Sequence, residues 1–457
     1  MSYIQDPVFQ TIQHIRTPHV VETVIAEVWA GWADKPPAAV QIKPGLTHYK
    51  PFKQARIMAE AIVILDDETA STVKLNFFFH IFSQADEAHQ EMERAHSQDC
   101  LPCPGPPVFP IPQWRTVVWT LPNAPNLAEL AELLNPEQSC QRLVPDTEWS
   151  PDWRDFPAPK LFRYVPLKRA LLTWENPHTH HRYFVKLFQE TEASVIIRNF
   201  KQINQAAEGR DLGFTVPQLI AYNPERHTLL MSEVPGQQFT AVMLRFLPEP
   251  LAQVGRILAR LHGCDLCPET AWTPAKELVL LRRRTSGVSL ALPDLSGRLN
   301  DVIAALDGLS RQLSFSANRP IHGNLFGDQI LYGPNGVGIV DWDALSLGDP
   351  LYDVGRLLAH LIYLAGCEKI ALGAASACAE ALICGYEAET QQPIQRQCLA
   401  WHVAMQLLLR GKISSLRMLP ERWQTHLSFV ITEAECILNG HSHYLSLPGL
   451  NKILSEV

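Results

Sequence analysis

The chain has 457 residues, 46% of them hydrophobic and 19% charged, with a formal net charge of −8. This is the composition of an ordinary globular protein, large enough for two or three domains with sizeable cores, and its acidic balance gives no reason to expect nucleic acid or an anionic membrane as partner. Met1 to Asp6 lacks a basic region followed by an apolar one, and the most apolar later stretch is broken by Glu368, Lys369 and Glu380; no transmembrane span and a cytoplasmic location are therefore expected.

Residues 1–36 read as an N-terminal helical cap, with a helix from Val20 to Trp32 placing Val21, Val24, Ile25 and Val28 at helical spacing. Residues 37–145 are β-rich and share local patterns with residues 163–235. His48 to Ala55 (HYKPFKQA) resembles Arg163 to Ala170 (RYVPLKRA), Phe78 to Phe82 (FFHIF) resembles Phe184 to Phe188 (FVKLF), and Thr116 to Pro122 resembles Thr228 to Pro235. Three matches in one order at similar displacement suggest an internal duplication. A linker at 146–159, with Pro151, Pro157, Pro159, Trp149 and Trp153, reads as extended.

From 160 to 236 a second α+β segment is expected: a strand from Tyr164 to Trp174, a polar turn from Glu175 to His181, and a strand carrying Lys186. A helix from Thr191 to Ala206 comes next, with Ile196, Phe200 and Ile203 on one face, and then a strand from Leu229 to Val234. Residues 237–457 read as mostly helical. Leu251 to His262 is clearly amphipathic, and Trp401, Leu407 and Leu408 are candidate core.

The stretch from Ile321 to Leu361 is the most informative. Ile330–Tyr332 and Val337–Val340 flank Gly333-Pro334-Asn335-Gly336, a turn signal that predicts a hairpin. Pairing Tyr332 with Val337 places Gln329 beside Val340 and Asp328 beside Asp341. An amide oxygen and a carboxylate on one hairpin edge suit a hard cation such as Mg²⁺. Gly348-Asp349-Pro350 then starts a helix, Asp349 capping and Pro350 at its first turn.

Together, His322-Gly323-Asn324, Asp328-Gln329, Asp341, Gly348-Asp349-Pro350 and Asp353 resemble the catalytic and metal-binding segment (321–343 and just beyond) of aminoglycoside phosphotransferase-like and choline-kinase-like small-molecule kinases. The resemblance implies a protein-kinase-like two-lobe α+β fold: a β-rich N-lobe at 160–236 and a helical C-lobe at 237–457, here preceded by a degenerate N-lobe-like domain. It implies ATP and Mg²⁺ as cofactors. Lys186 would hold the nucleotide phosphates, with Glu192 or Glu190 as its partner. Met231 and Glu233 would lie in the hinge that meets the adenine, and Gln329 and Asp341 would take the metal. His80 stands where Lys186 does in the first copy, and a short, mostly neutral imidazole does not replace an ammonium. That domain is expected to pack, select substrate or mediate assembly.

The family pattern has Asp where this chain has Asn324. Asn keeps the shape without a basic carboxylate, and Asp328 is the one neighbouring acid in the loop. General-base catalysis contributes about 10² to 10⁴ in rate, yet phosphoryl transfer depends mostly on positioning and charge neutralisation. Two readings remain open: a kinase of a small hydroxylated acceptor with impaired catalysis, or a pseudokinase that binds nucleotide or metabolite and engages a protein partner through its first lobe. Replacing Asn324 with Asp separates them, since transfer rises strongly if only the base is missing. Acceptor identity and oligomeric state are not legible. Cys100/Cys103 and Cys264/Cys267 have zinc-knuckle spacing but lie far apart in the chain, so a shared site would need the fold to join them; with no secretory signal, free thiols are the alternative. His178, His180 and His181 read as a solvated turn.

Overall fold

The computed structural model describes residues 5–447 apart from 34–35, 67–70, 99, 126, 128, 136–156, 210, 240–247 and 334–335. Most of the expected linker, and Pro334 and Asn335 of the turn, thus lie outside the described residues. The backbone divides into two compact units. The first comprises Met1–Thr191, Ala221–Leu230 and Arg417–Leu419, and the second Glu192–Ile220, Met231–Leu416 and Pro420–Val457.

The first unit opens with α1 (Pro7–Arg16) and α2 (Pro18–Trp32), each with proline at its start, where a missing N–H costs nothing. Asp6 caps α1 by accepting from Val8 N at 2.8 Å. Only the second of these helices is among the elements expected from the sequence. Next come β1 (Pro37–Lys50), β2 (Gln54–Leu65), β3 (Thr72–Phe82), α3 (Ala85–His96), β4 (Val108–Ile111) and β5 (Thr116–Thr120), in sheet order β1-β2-β3-β5-β4, with α4 (Glu129–Leu133) after them. A second sheet contains β6 (Lys160–Val165), β7 (Arg169–Glu175), β8 (Arg182–Phe188), β9 (Leu219–Asn223) and β10 (Thr228–Ser232), in order β6-β7-β8-β10-β9, with α5 (Glu190–Gly209) between β8 and β9. Three strands, a helix and two strands are laid down twice with the same neighbour order.

Cross-strand partners share a face of a sheet. His80 pairs with Arg56 and Val117, and Phe78 with Met58 and Trp119, so all six lie on one face of the first sheet. Phe78, Phe82, Val117 and Trp119 enter one core with Leu172, Trp174, Val185 and Leu187 of the second sheet and Met92 and Ala95 of α3. The opposite face, with Tyr49, Ile57, Phe79 and Ile81, is covered by α1, where the Phe9 and Tyr49 rings stand 5.8 Å apart. Because side chains alternate along a strand, Lys186 points away from the core that Val185 and Leu187 fill. The first sheet therefore lies on the back of the second, not on its lysine face.

The second unit contains β11 (Gln237–Gln238), α6 (Glu249–His262), α7 (Pro274–Ala291), α8 (Ser296–Ser310), β12 (Arg319–Ile321), β13 (Ile330–Gly333), β14 (Gly336–Ile339), β15 (Ser346–Gly348), α9 (Leu351–Gly366), α10 (Leu372–Thr390), α11 (Arg396–Gly411) and α12 (Trp423–Asn439). Helices α9 and α11 bury Leu357, Leu358, Leu361, Trp401, Leu407 and Leu408. Helices α6 and α10 approach through two glycines. A Cβ on Gly255 would collide with Leu382 O, and one on Gly385 with Ala252 O. Antiparallel sheets in the first unit and mostly helices in the second are the mixed α+β content expected from the sequence. Among the described residues no helix is long and apolar enough to cross a membrane.

Candidate active site

The expected hairpin forms: Tyr332 pairs with Val337 and Gly333 with Gly336. Val340 N donates to Gln329 O at 3.0 Å, which sets Gln329 beside Val340 as expected. One residue further the ladder ends, because Gly327–Gln329 curl into a 3₁₀ turn and Asp341 adopts a left-handed backbone at φ +70°. Asp328 does not face Asp341 in a ladder. It is exposed, and its carbonyl accepts from Gln238 Nε2 at 2.9 Å.

The loop before the hairpin is held by Asp353 in the first turn of α9. Its carboxylate accepts from His322 N at 2.6 Å and Gly323 N at 3.0 Å, and one oxygen lies 3.3 Å from His262 Nε2. Burial alone would raise this carboxyl, but the contacts from His262 and His322 outweigh it and hold the group below its ordinary value. His322 is fully buried; its Nε2 lies 3.1 Å from Val340 O, and Asn324 N donates to its Nδ1 at 3.4 Å. A backbone N–H can donate only to an unprotonated ring nitrogen, so the ring is a neutral Nε2–H tautomer and Nε2 donates to the carbonyl. Burial lowers its pKa despite Asp353. It braces the loop and is not placed as an acid.

Gln329 Oε1 accepts from Phe326 N at 2.6 Å, while its Nε2 donates to Asp341 Oδ2 at 3.4 Å. The hairpin pattern alone puts the amide oxygen toward the metal; in the structure that oxygen is turned to the backbone and the amide nitrogen steadies the carboxylate. Mg²⁺ is commonly held by one or two carboxylates, with waters and phosphate oxygens completing its shell. Asp341 fits that role, and Gln329 orients it. Among the described residues no group of three His, Cys, Asp or Glu is placed to hold a metal, so the two Cys-x-x-Cys pairs are not joined in such a group.

Asn324 sits in a contact that the sequence does not reveal. Arg356, on α9, donates through Nη2 to Asn324 Oδ1 at 2.7 Å and through Nη1 to Gln406 Oε1 at 2.8 Å. Arginine has no acceptor, so the amide must turn its oxygen to Arg356 and present its NH₂ elsewhere. Gln406 in turn donates to Glu277 at 3.2 Å. His402 lies 3.7 Å from Glu277 and 3.5 Å from Asp349. Asp349 also accepts from Leu351 N and Ser316 N, each at 2.8 Å, the first being the capping expected of it. Asn324 is thus the solvent-side end of a buried polar chain.

Lys186 belongs to the first unit, on β8 opposite Leu171, and is 5% exposed. Glu190 and Glu192 are both exposed at the start of α5. Met231 is buried at the end of β10, and Glu233 is half-buried just beyond it. His180 is exposed in its turn, 3.2 Å from Glu175.

Residues 169–379 match the model of the phosphotransferase enzyme family. No curated protein matches the chain in sequence. Similar solved structures include a choline/ethanolamine kinase family protein from Mesorhizobium loti, at 14% identity and TM-score 0.45, the match covering 65% of this chain and 94% of that one. Choline kinase from Cryptosporidium parvum shows 14% identity and TM-score 0.47, with 63% and 91% covered. An aminoglycoside phosphotransferase solved with ADP and hygromycin B shows 10% identity and TM-score 0.41, with 62% and 93% covered.

Proposed function

We propose that this protein, whose residues 169–379 match the model of the phosphotransferase enzyme family, binds ATP with Mg²⁺ and transfers its terminal phosphoryl group, slowly, to a small hydroxylated molecule. The observation that carries this reading is the loop geometry: Asp353 fixes His322 and Gly323, and Gln329 steadies Asp341 at the end of the hairpin. In the reading, Lys186 pairs with nucleotide phosphates, Met231 and Glu233 border the adenine, and Asp341 would hold the cation, which neutralises phosphate charge. Asn324 positions the acceptor without accepting its proton, and Asp328 contributes negative charge at the mouth of the loop.

Calorimetric titration with ATP, with and without Mg²⁺, tests it. Mg²⁺-dependent binding that is lost in Lys186→Ala and Asp341→Ala supports a working site; absence of binding in every condition overturns it. A second reading, a pseudokinase whose bound nucleotide or metabolite shapes an assembly, is favoured by the contact of Arg356 with Asn324, which leaves the base position a hydrogen-bond donor. Nucleotide binding with no phosphoryl transfer to any acceptor selects it.

A further inference from the structure

Helices α9 and α11 each direct one guanidinium group onto the same ring beside Asn324. The guanidinium carbon of Arg356 lies 4.1 Å from the Phe326 centroid and that of Arg410 lies 4.5 Å from it. The Nε of each is buried without a hydrogen-bond partner. Phe326, Asn324 and Arg410 nevertheless retain partial exposure, so this cluster opens to solvent.

Two like charges over one ring repel, and low local polarity strengthens the repulsion. Burial and the Arg356 charge both lower the pKa of Arg410, with exposed Asp328 the first carboxylate acting the other way. His360, nearby on α9, has its pKa lowered by burial and by Arg410, Lys369 and Arg356, so it adds no further positive charge. Asn324 adds a further donor, its NH₂, because its oxygen is committed to Arg356. Two guanidinium groups over one ring, with the Asn324 amide hydrogen-bonded to one of them, thus gather two positive charges in a cluster that is partly exposed at Asn324, Phe326 and Arg410. Guanidinium groups match the planar or tetrahedral oxygens of carboxylate and phosphate, and they repel amines.

We propose that Arg356, Arg410 and the Asn324 amide form an oxyanion pocket, floored by Phe326, that holds a carboxylate or phosphate group of the acceptor. This rests on reading the Asn324 loop as the acceptor side of a phosphotransferase site, and it makes the acceptor an acidic hydroxylated molecule, not a cationic one. The same chemistry could be offered by the terminal phosphoryl group of the nucleotide.

The test is calorimetric titration of the full chain with glycerol 3-phosphate and with glycerol, without nucleotide, on the native protein, Arg410→Gln and Arg410→Lys. The expected result is binding of the phosphate ester but not glycerol, weakened about 10- to 100-fold in Arg410→Gln and less in Arg410→Lys, which keeps the charge. Thermal unfolding of both variants confirms that they fold; should Arg410→Gln unfold, Arg410→Lys and displacement of the ester by inorganic phosphate carry the comparison. No binding of the ester, or equal binding by all three proteins, overturns the pocket. ATP and ADP titrations of Arg410→Gln separate the sources. Unchanged affinity for both supports an acceptor group, whereas loss for ATP alone overturns the acceptor assignment. Because the first arm contains no nucleotide, it stands or falls separately from ATP binding.

Discussion

His80 and Glu91 meet at 3.2 Å across β3 and α3, buried at the junction of the two sheets. Gln54 Oε1 lies 2.8 Å from the other ring nitrogen, and Phe82 packs with its ring centroid 4.1 Å away. In the repeated topology this strand position is the one Lys186 holds in the second sheet. The first sheet places a strand-to-helix polar pair here, on a face that serves as packing surface. His80→Lys is therefore expected to add no nucleotide site. Calorimetry should give the same stoichiometry as the native protein, and a second bound equivalent would contradict the arrangement.

Asn324→Asp is expected to raise phosphoryl transfer by less than about tenfold, well short of the 10² to 10⁴ typical of a general base. The new carboxylate would pair with Arg356, which already lies 2.7 Å from the position's side-chain oxygen, and an adjacent guanidinium lowers the basicity of a carboxylate. The double variant Asn324→Asp/Arg356→Gln should exceed either single change. Single-turnover rates of the four proteins check this, and a large gain from Asn324→Asp alone would show that Arg356 does not restrain the site.

Stability should fall as pH rises from about 5 to 8. Burial pushes the Glu277 carboxyl up to about 7 from an ordinary 4.5. A carboxyl whose folded pKa is raised contributes stability that is fully present below its unfolded value and is lost as pH climbs through the folded one. For His402, burial opposes the charge, but Glu277 and Asp349 raise it above 6.5, so its contribution is lost in the same direction. Urea midpoints at pH 5, 6, 7 and 8 measure the slope, of roughly 1–3 kcal/mol in all, and Glu277→Gln should flatten it. Asp349 and Asp353, both lowered from 3.8, add stability above that value that is lost on acidification.

Asp353→Ala should cost about 3–5 kcal/mol, since it strips two buried backbone donors and leaves His262 without its carboxylate. Urea denaturation reads the loss. Asp353→Asn, which keeps one acceptor oxygen, should fall between.

Gly255→Ala and Gly385→Ala should each destabilise by about 1–3 kcal/mol, because the added carbon meets backbone that cannot rotate away. Gly297, in α8, has open space where a Cβ would go. Gly297→Ala should stabilise by about 0.5–1 kcal/mol. Thermal unfolding of the three variants distinguishes close helix approach from ordinary helix propensity.

The hairpin at 330–339, the capped start of α9 and the Lys186 strand are legible in the sequence because their signals are local: a turn between β-type runs, Asp-Pro before an apolar stripe, alternation along a strand. Helix α6 is equally clear from Leu251 to His262. Arg356 is not, since its meaning depends on Asn324 and Gln406, each distant in the chain, and within α9 it is one polar residue in an apolar helix. The orientation of Gln329 is hidden for a related reason. It is decided by the Phe326 N–H, which becomes a donor needing a partner only once the 3₁₀ turn forms. Helix α1 is legible after the fact, since Asp6-Pro7 is a helix start and Val8, Ile12 and Ile15 stand at i, i+4 and i+7.

The stacking of the two sheets has a consequence for how such a chain stops. When one block's front sits on the next block's back, the contact is heterologous: it does not close on itself, and every added block leaves a fresh back uncovered. Such a series ends only where something different is laid over the last surface. Here α1, with Phe9 against Tyr49, is that terminator. By packing on that outer face, α1 removes from solvent the surface on which a further block of this kind would sit.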